Sequence, residues 1–76
     1  MLFEAALDES INMEIRSNPT LWKSVTSLWS KLAELNKVRG EDEGMFFNFQ
    51  CFFGSFMRKT GKKPTIQDAL KFASNN

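Results

Sequence analysis

Histidine and tyrosine are absent from this sequence, cysteine occurs once and proline twice. Each scarcity closes a route. Without histidine the chain lacks the commonest general acid–base residue and the imidazole ligands of most zinc sites. A single thiol, Cys51, cannot form an internal disulfide, and the absence of such a bond fits a reducing compartment. No apolar run approaches the ~20 residues a membrane-spanning helix needs. The start MLFEAALDES has neither a basic n-region nor a continuous apolar stretch, and it carries Glu4, Asp8 and Glu9. The expectation is a cytoplasmic protein without a leader. No Gly-rich phosphate loop occurs, and GEDEG (40–44) would repel a phosphate. Glu41, Asp42 and Glu43 lack calcium-loop spacing. Neither an enzyme nor a metal or cofactor protein is expected.

What is abundant is phenylalanine. Six of the eight fall within 46–56, in GMFFNFQCFFGSFMRKTG (44–61). With 76 residues the chain makes one small domain, residues 1–76, and a domain of this size has a thin stability margin. Without disulfides or metals it must rely on dense helix packing, self-association, or both. Net charge is +1, distributed unevenly: residues 1–57 carry −3, and residues 58–76, with Arg58, Lys59, Lys62, Lys63 and Lys71 against Asp68, carry +4.

Periodicity is helical throughout, with no internal repeat. Phe3, Leu7, Ile11 and Ile15 recur every four residues, with Leu2, Ala6 and Met13 widening the stripe, predicting a helix over 2–17. SNPT breaks it, with Asn18 as N-cap and Pro19 as first residue of the next helix. Leu21, Val25, Leu28, Leu32 and Leu35 step by four and three, flanked by Trp22 and Trp29. They predict a helix over 19–38 with Gly40 as its left-handed cap. In a helix over 43–60, Met45, Phe46, Phe49, Phe52, Phe53, Phe56 and Met57 share one arc, and Asn48, Ser55, Arg58 and Lys59 lie opposite. Gly61 ends that helix. Thr65 and Asp68 then form a variant capping box for a last helix over 66–74, with Ile66, Ala69, Leu70 and Ala73 inward and Phe72 near the edge.

The expected architecture is all-α: a compact bundle of four helices with the Phe-rich helix at its centre, sheltered by the Trp/Leu face of the second. Phe47 falls off the main arc beside Cys51 and Gly54. Either the last helix covers that flank or it is a patch for a partner.

NPTLWKSVTSLWSKL (18–32) and MFFNFQCFFGSFMRKTGKKPT (45–65) resemble compact regulatory proteins of large tailed phages, among them the cytoplasmic lysis-inhibition accessory proteins of T-even phages. The resemblance implies a non-enzymatic protein that contacts the cytoplasmic part of a holin and delays lysis. No diagnostic motif accompanies it, so no functional residue is carried over.

The residues themselves point to a protein-binding regulator, expected to self-associate. Its candidate contacts are Phe47 and Cys51, Trp22 or Trp29 where exposed, and a basic rim of Arg58, Lys59, Lys62 and Lys63 for an acidic partner. Two alternatives use the same basic segment. In one, RKTGKKPTIQDALKFASNN (58–76), with its basic segment 58–71, forms the turn and second helix of a helix-turn-helix, with Gln67, Lys71, Ser74 and Asn75 reading nucleic acid. In the other, the Phe helix lies on a membrane surface, although its polar face lacks the lysines such helices favour.

Overall fold

Asn18 stands in extended backbone, and its side-chain oxygen accepts from the N–H groups of Thr20 (3.1 Å) and Leu21 (3.2 Å). These donors have no partner inside a helix, so the cap sets where the chain turns helical. In the computed structural model, which describes residues 9–74, four helices follow one another: α1 (Glu9–Arg16), α2 (Pro19–Glu34), α3 (Glu43–Thr60) and α4 (Ile66–Ser74). The described chain is all-α, a compact helical bundle, with no strand among these residues. Leu2, Phe3, Ala6 and Leu7, assigned above to the first helix, lie outside the described residues.

The second helix is shorter than the apolar spacing predicts. It ends at Glu34, and the left-handed residue is Asn36 (φ 58°), not Gly40. The Asn36 N–H donates to the Ala33 carbonyl (3.0 Å) and the Lys37 N–H to that of Leu32 (2.9 Å). This pair of bonds is a Schellman closure, for which asparagine is the second choice after glycine. Leu35, counted above as part of the apolar face, is therefore 47% exposed. Gly40 instead offers its carbonyl to the Trp29 indole N–H (3.1 Å), which ties the α2–α3 connection to the core.

The ends of α3 and α4 follow local chemistry closely. Asp42 caps α3 by accepting from the Met45 N–H (3.0 Å), and Gly61, at φ 73°, closes it with an N–H bond to the Met57 carbonyl (2.8 Å). In α4 the Thr65 N–H donates to the Asp68 carboxylate (2.9 Å), and the Asp68 N–H donates to the Thr65 hydroxyl (3.3 Å). This reciprocal box holds the Asp68 carboxyl below its ordinary value of 3.8, chiefly through the Thr65 backbone bond, then its hydroxyl.

The Phe-rich helix is central and touches all three others. Its first face packs on α2 through a ladder of rings. Trp22 meets Phe46 at 5.7 Å between centroids, and Trp29 meets Phe46 at 5.2 Å and Phe49 at 5.4 Å. On a second face Phe72 of α4 stacks against Phe52 (5.0 Å) and meets Phe49 edge-on (5.4 Å). Phe72, expected at an edge, thus belongs to the core with Val25, Trp29, Leu32, Phe49, Phe53 and Ala69. Burying such a ring stabilises by about 1.5–3 kcal/mol, with about 0.5–1.5 kcal/mol more for each well-placed aromatic pair.

The third face is covered at Gly54 and Cys51 by α1, which is neither of the two outcomes expected for it, the last helix or a partner. Ile11 and Ile15 seat directly over Gly54, where the missing side chain makes room for them. Around that contact the seam is polar. The Asn12 amide donates to Cys51 Sγ (2.9 Å), Arg16 Nε donates to Gln50 Oε1 (3.3 Å), and Arg58 pairs with Glu14 (3.5 Å) at the edge. Asn12 and Gln50 are both buried, and Asn12 Oδ1 has no hydrogen-bond partner. Met13, placed above in the apolar stripe, points outward and is 69% exposed. It stands roughly 200° from Ile11 at 100° per residue.

Candidate functional site

The residues proposed above as contacts separate into two groups. Cys51 and Trp29 are buried, Cys51 beneath α1 and Trp29 in the ring ladder, so neither is available on the surface. Phe47 and Trp22 are half-buried. Arg58, Lys59, Lys62 and Lys63 are all exposed, but they do not form one unit. Arg58, at the α1 edge, is engaged with Glu14. Lys63 reaches the opposite way, and its Nζ donates to Ser24 Oγ of α2 (3.0 Å). Gln67, Lys71 and Ser74 lie exposed along α4, which carries the Asp68 carboxylate in its first turn, and Asn75 lies outside the described residues.

Lys63 leads to a feature that the linear pattern did not reveal. An open groove of about 360 Å³ runs between α2 and the 61–65 connection, lined by Ser24, Ser27, Leu28, Lys31, Phe53, Lys63, Pro64 and Ile66. Its floor is apolar. Phe53 and Pro64 are buried, and Leu28 and Ile66 are half-buried at the bottom of an otherwise open trough.

Local structure explains each position. Ser24, Leu28 and Lys31 stand at i, i+4 and i+7 of α2 and so form one stripe along its side. Pro64, just before the Thr65 cap, ends the connection and turns the chain so that Ile66 enters the same trough as Phe53. Ser24 Oγ donates to the Thr20 carbonyl (3.1 Å), which leaves a lone pair facing Lys63.

The electrostatics are one-sided. Among the described residues no carboxylate lines the groove. The ion pairs between described side chains are Arg39–Glu41 and Arg58–Glu14, and neither Lys31 nor Lys63 takes part in one. The site is therefore an apolar trough with a cation near each end, an arrangement that accommodates apolar side chains flanked by negative charge. Among the described residues no three histidine, cysteine or acidic side chains come together as a metal site, and no helix is long and apolar enough to cross a membrane.

The sequence marks none of Ser24, Leu28, Lys31, Pro64 and Ile66 as a contact residue, and it reads Leu28 and Ile66 as core positions. The Ser24–Leu28–Lys31 spacing was legible. Its meaning was not, because the opposite wall comes from residues some forty positions later. Compared with protein-family models, with curated proteins and with solved structures, the chain has no significant match to any of them.

Proposed function

We propose that this chain is a non-enzymatic regulatory or adaptor protein that acts by stoichiometric binding to another protein. The observation that carries this reading is the apolar groove with lysines at its ends, contiguous with the exposed basic turn at 62–63. Such a surface has the composition of a recognition site: apolar area for affinity and peripheral charge for steering and register. The lysis-inhibition resemblance supplies a candidate partner, the cytoplasmic segment of a holin, and with it a cytoplasmic site of action.

The test is affinity capture from the native cell with the wild-type chain and with a Lys62→Glu/Lys63→Glu variant. Both lysines are exposed, so the variant folds like the parent. A protein retained by the first and depleted by the second supports the reading. Equal retention removes the basic turn from the interface. Retention instead of random DNA, falling steeply with salt, transfers the function to nucleic acid.

A further inference from the structure

Resting on the protein-binding reading above, we infer that the groove takes one face of an acidic amphipathic helix from another protein. Two apolar residues at adjacent central positions enter the trough, and an aspartate or glutamate on either side, seven residues apart, meets Lys63 at one end and Lys31 at the other.

The spacing comes from α2 itself. Lys63 is held at Ser24, and Lys31 stands seven residues further along the same stripe. At 1.5 Å per residue that separation is about 10 Å along the helix axis. A guest helix lying along α2 presents side chains on one face at i, i+3, i+4 and i+7, so acids at the outer two positions span the same length. The two inner positions fall over Leu28, Phe53, Pro64 and Ile66, which are apolar and would exclude water from the contact. An acid in the centre would lose hydration without finding a partner there. Basic guests are disfavoured at both ends.

A second copy of the chain does not provide this guest. Within the 76 residues the one pair of acids seven apart is Glu34 and Glu41, which enclose Lys37 and Val38. That stretch is not helical, because α2 ends at Glu34. The occupant is therefore a different protein.

The experiment is selection from a display library of helix-forming peptides against the immobilised full chain. Leucine-class residues are kept at two adjacent central positions, and the positions three before and three after them are randomised. Enrichment of Asp or Glu at both randomised positions is expected. Affinity of the selected peptide should fall about tenfold in a Lys31→Glu/Lys63→Glu variant, as reversing two exposed ion pairs implies. A peptide with lysine at the two outer positions should prefer that variant to the parent. Backbone amide shifts on titration should centre on Ser24, Leu28, Phe53 and Ile66. The inference is overturned by enrichment without acidic bias, by affinity unchanged in the variant, by shifts centred elsewhere, or by failure to select any groove binder. Binding of anionic phospholipid vesicles, lost in the same variant while peptides fail, would assign the groove to lipid and equally overturn it. The capture experiment reads association through any surface, so a partner found there with no peptide selected here separates the general reading from this one.

Discussion

Two sides of α3 are held by opposite means. Toward α2 and α4 the helix presents Phe46, Phe49, Phe52 and Phe53, and each meets rings or aliphatic side chains from elsewhere in the chain. Toward α1 it presents Gln50, Cys51 and Gly54, a strip of polar and small side chains. The first side gains stability from buried area. The second gains proximity, since a glycine lets two isoleucines approach and hydrogen bonds then set the register. Large apolar residues advertise themselves in a sequence, whereas a glycine–isoleucine contact 39 to 43 residues apart does not. That difference explains why the aromatic side is legible in the sequence, whereas the flank at Gly54 reads only as a choice between the last helix and a partner, and α1 does not come forward as its cover.

The contrast is best broken at its strong side. Phe49→Ala removes a ring that touches Trp29, Phe52 and Phe72, and should cost about 3–5 kcal/mol in denaturant unfolding. In so small a domain that loss approaches the whole margin. If the midpoint moved by only a fraction of that, the ring ladder would not be the principal source of stability.

Gly54→Ala sharpens the other side. Alanine is the better helix former by about 1 kcal/mol, so an unopposed substitution would stabilise. Here the new methyl group would run into Ile11 Cγ2 and sit 3.2 Å from Ile15 Cδ1. The expected result is a net destabilisation of about 1–3 kcal/mol, and Ile11→Ala should cost less on the Gly54→Ala background than in the parent, because it relieves the clash. A stabilised single variant would mean that α1 does not seat as described.

Asn12→Leu examines the polar seam. The native amide leaves Oδ1 buried without a partner, and such an atom costs about 1–3 kcal/mol. Replacing it with an apolar side chain of similar size should therefore be neutral or mildly stabilising, in contrast to the losses at Phe49 and Gly54. Chemical denaturation measures the sign directly.

The smallest effects lie at the caps. Asn18→Ala removes an acceptor for two N–H groups and should cost about 1 kcal/mol by thermal unfolding. At Asp68 the expectation concerns pH. Because its carboxyl is held below 3.8 in the folded chain, its contribution is present above that value and is lost as pH falls through the lower folded value. The stability difference between parent and Asp68→Asn should accordingly be visible at neutral pH and vanish in strong acid. A difference that persists at low pH would contradict the charged box.

Much of the helix plan could be read from local residues. Asn18–Pro19, Asp42, Gly61 and Thr65–Asp68 act on groups a few positions away, so the starts of α2, α3 and α4 and the end of α3 emerged where expected. The end of α2 did not. Leu35 and Val38 continue the apolar rhythm past Asn36, and only the Schellman bonds choose the stop. The basic turn was legible as charge, but the groove beside it was not. Lys31 and Lys63 become a pair only when α2 and the 61–65 connection are brought side by side.

Composition and periodicity were thus enough to require an all-helical chain built around its phenylalanines, because capping and amphipathic spacing act within a few residues. Which helix covers Gly54, where Phe72 inserts and how two lysines come to bracket one trough were decided by packing. Those outcomes depend on shape and distance between segments far apart along the backbone, quantities that no local pattern encodes.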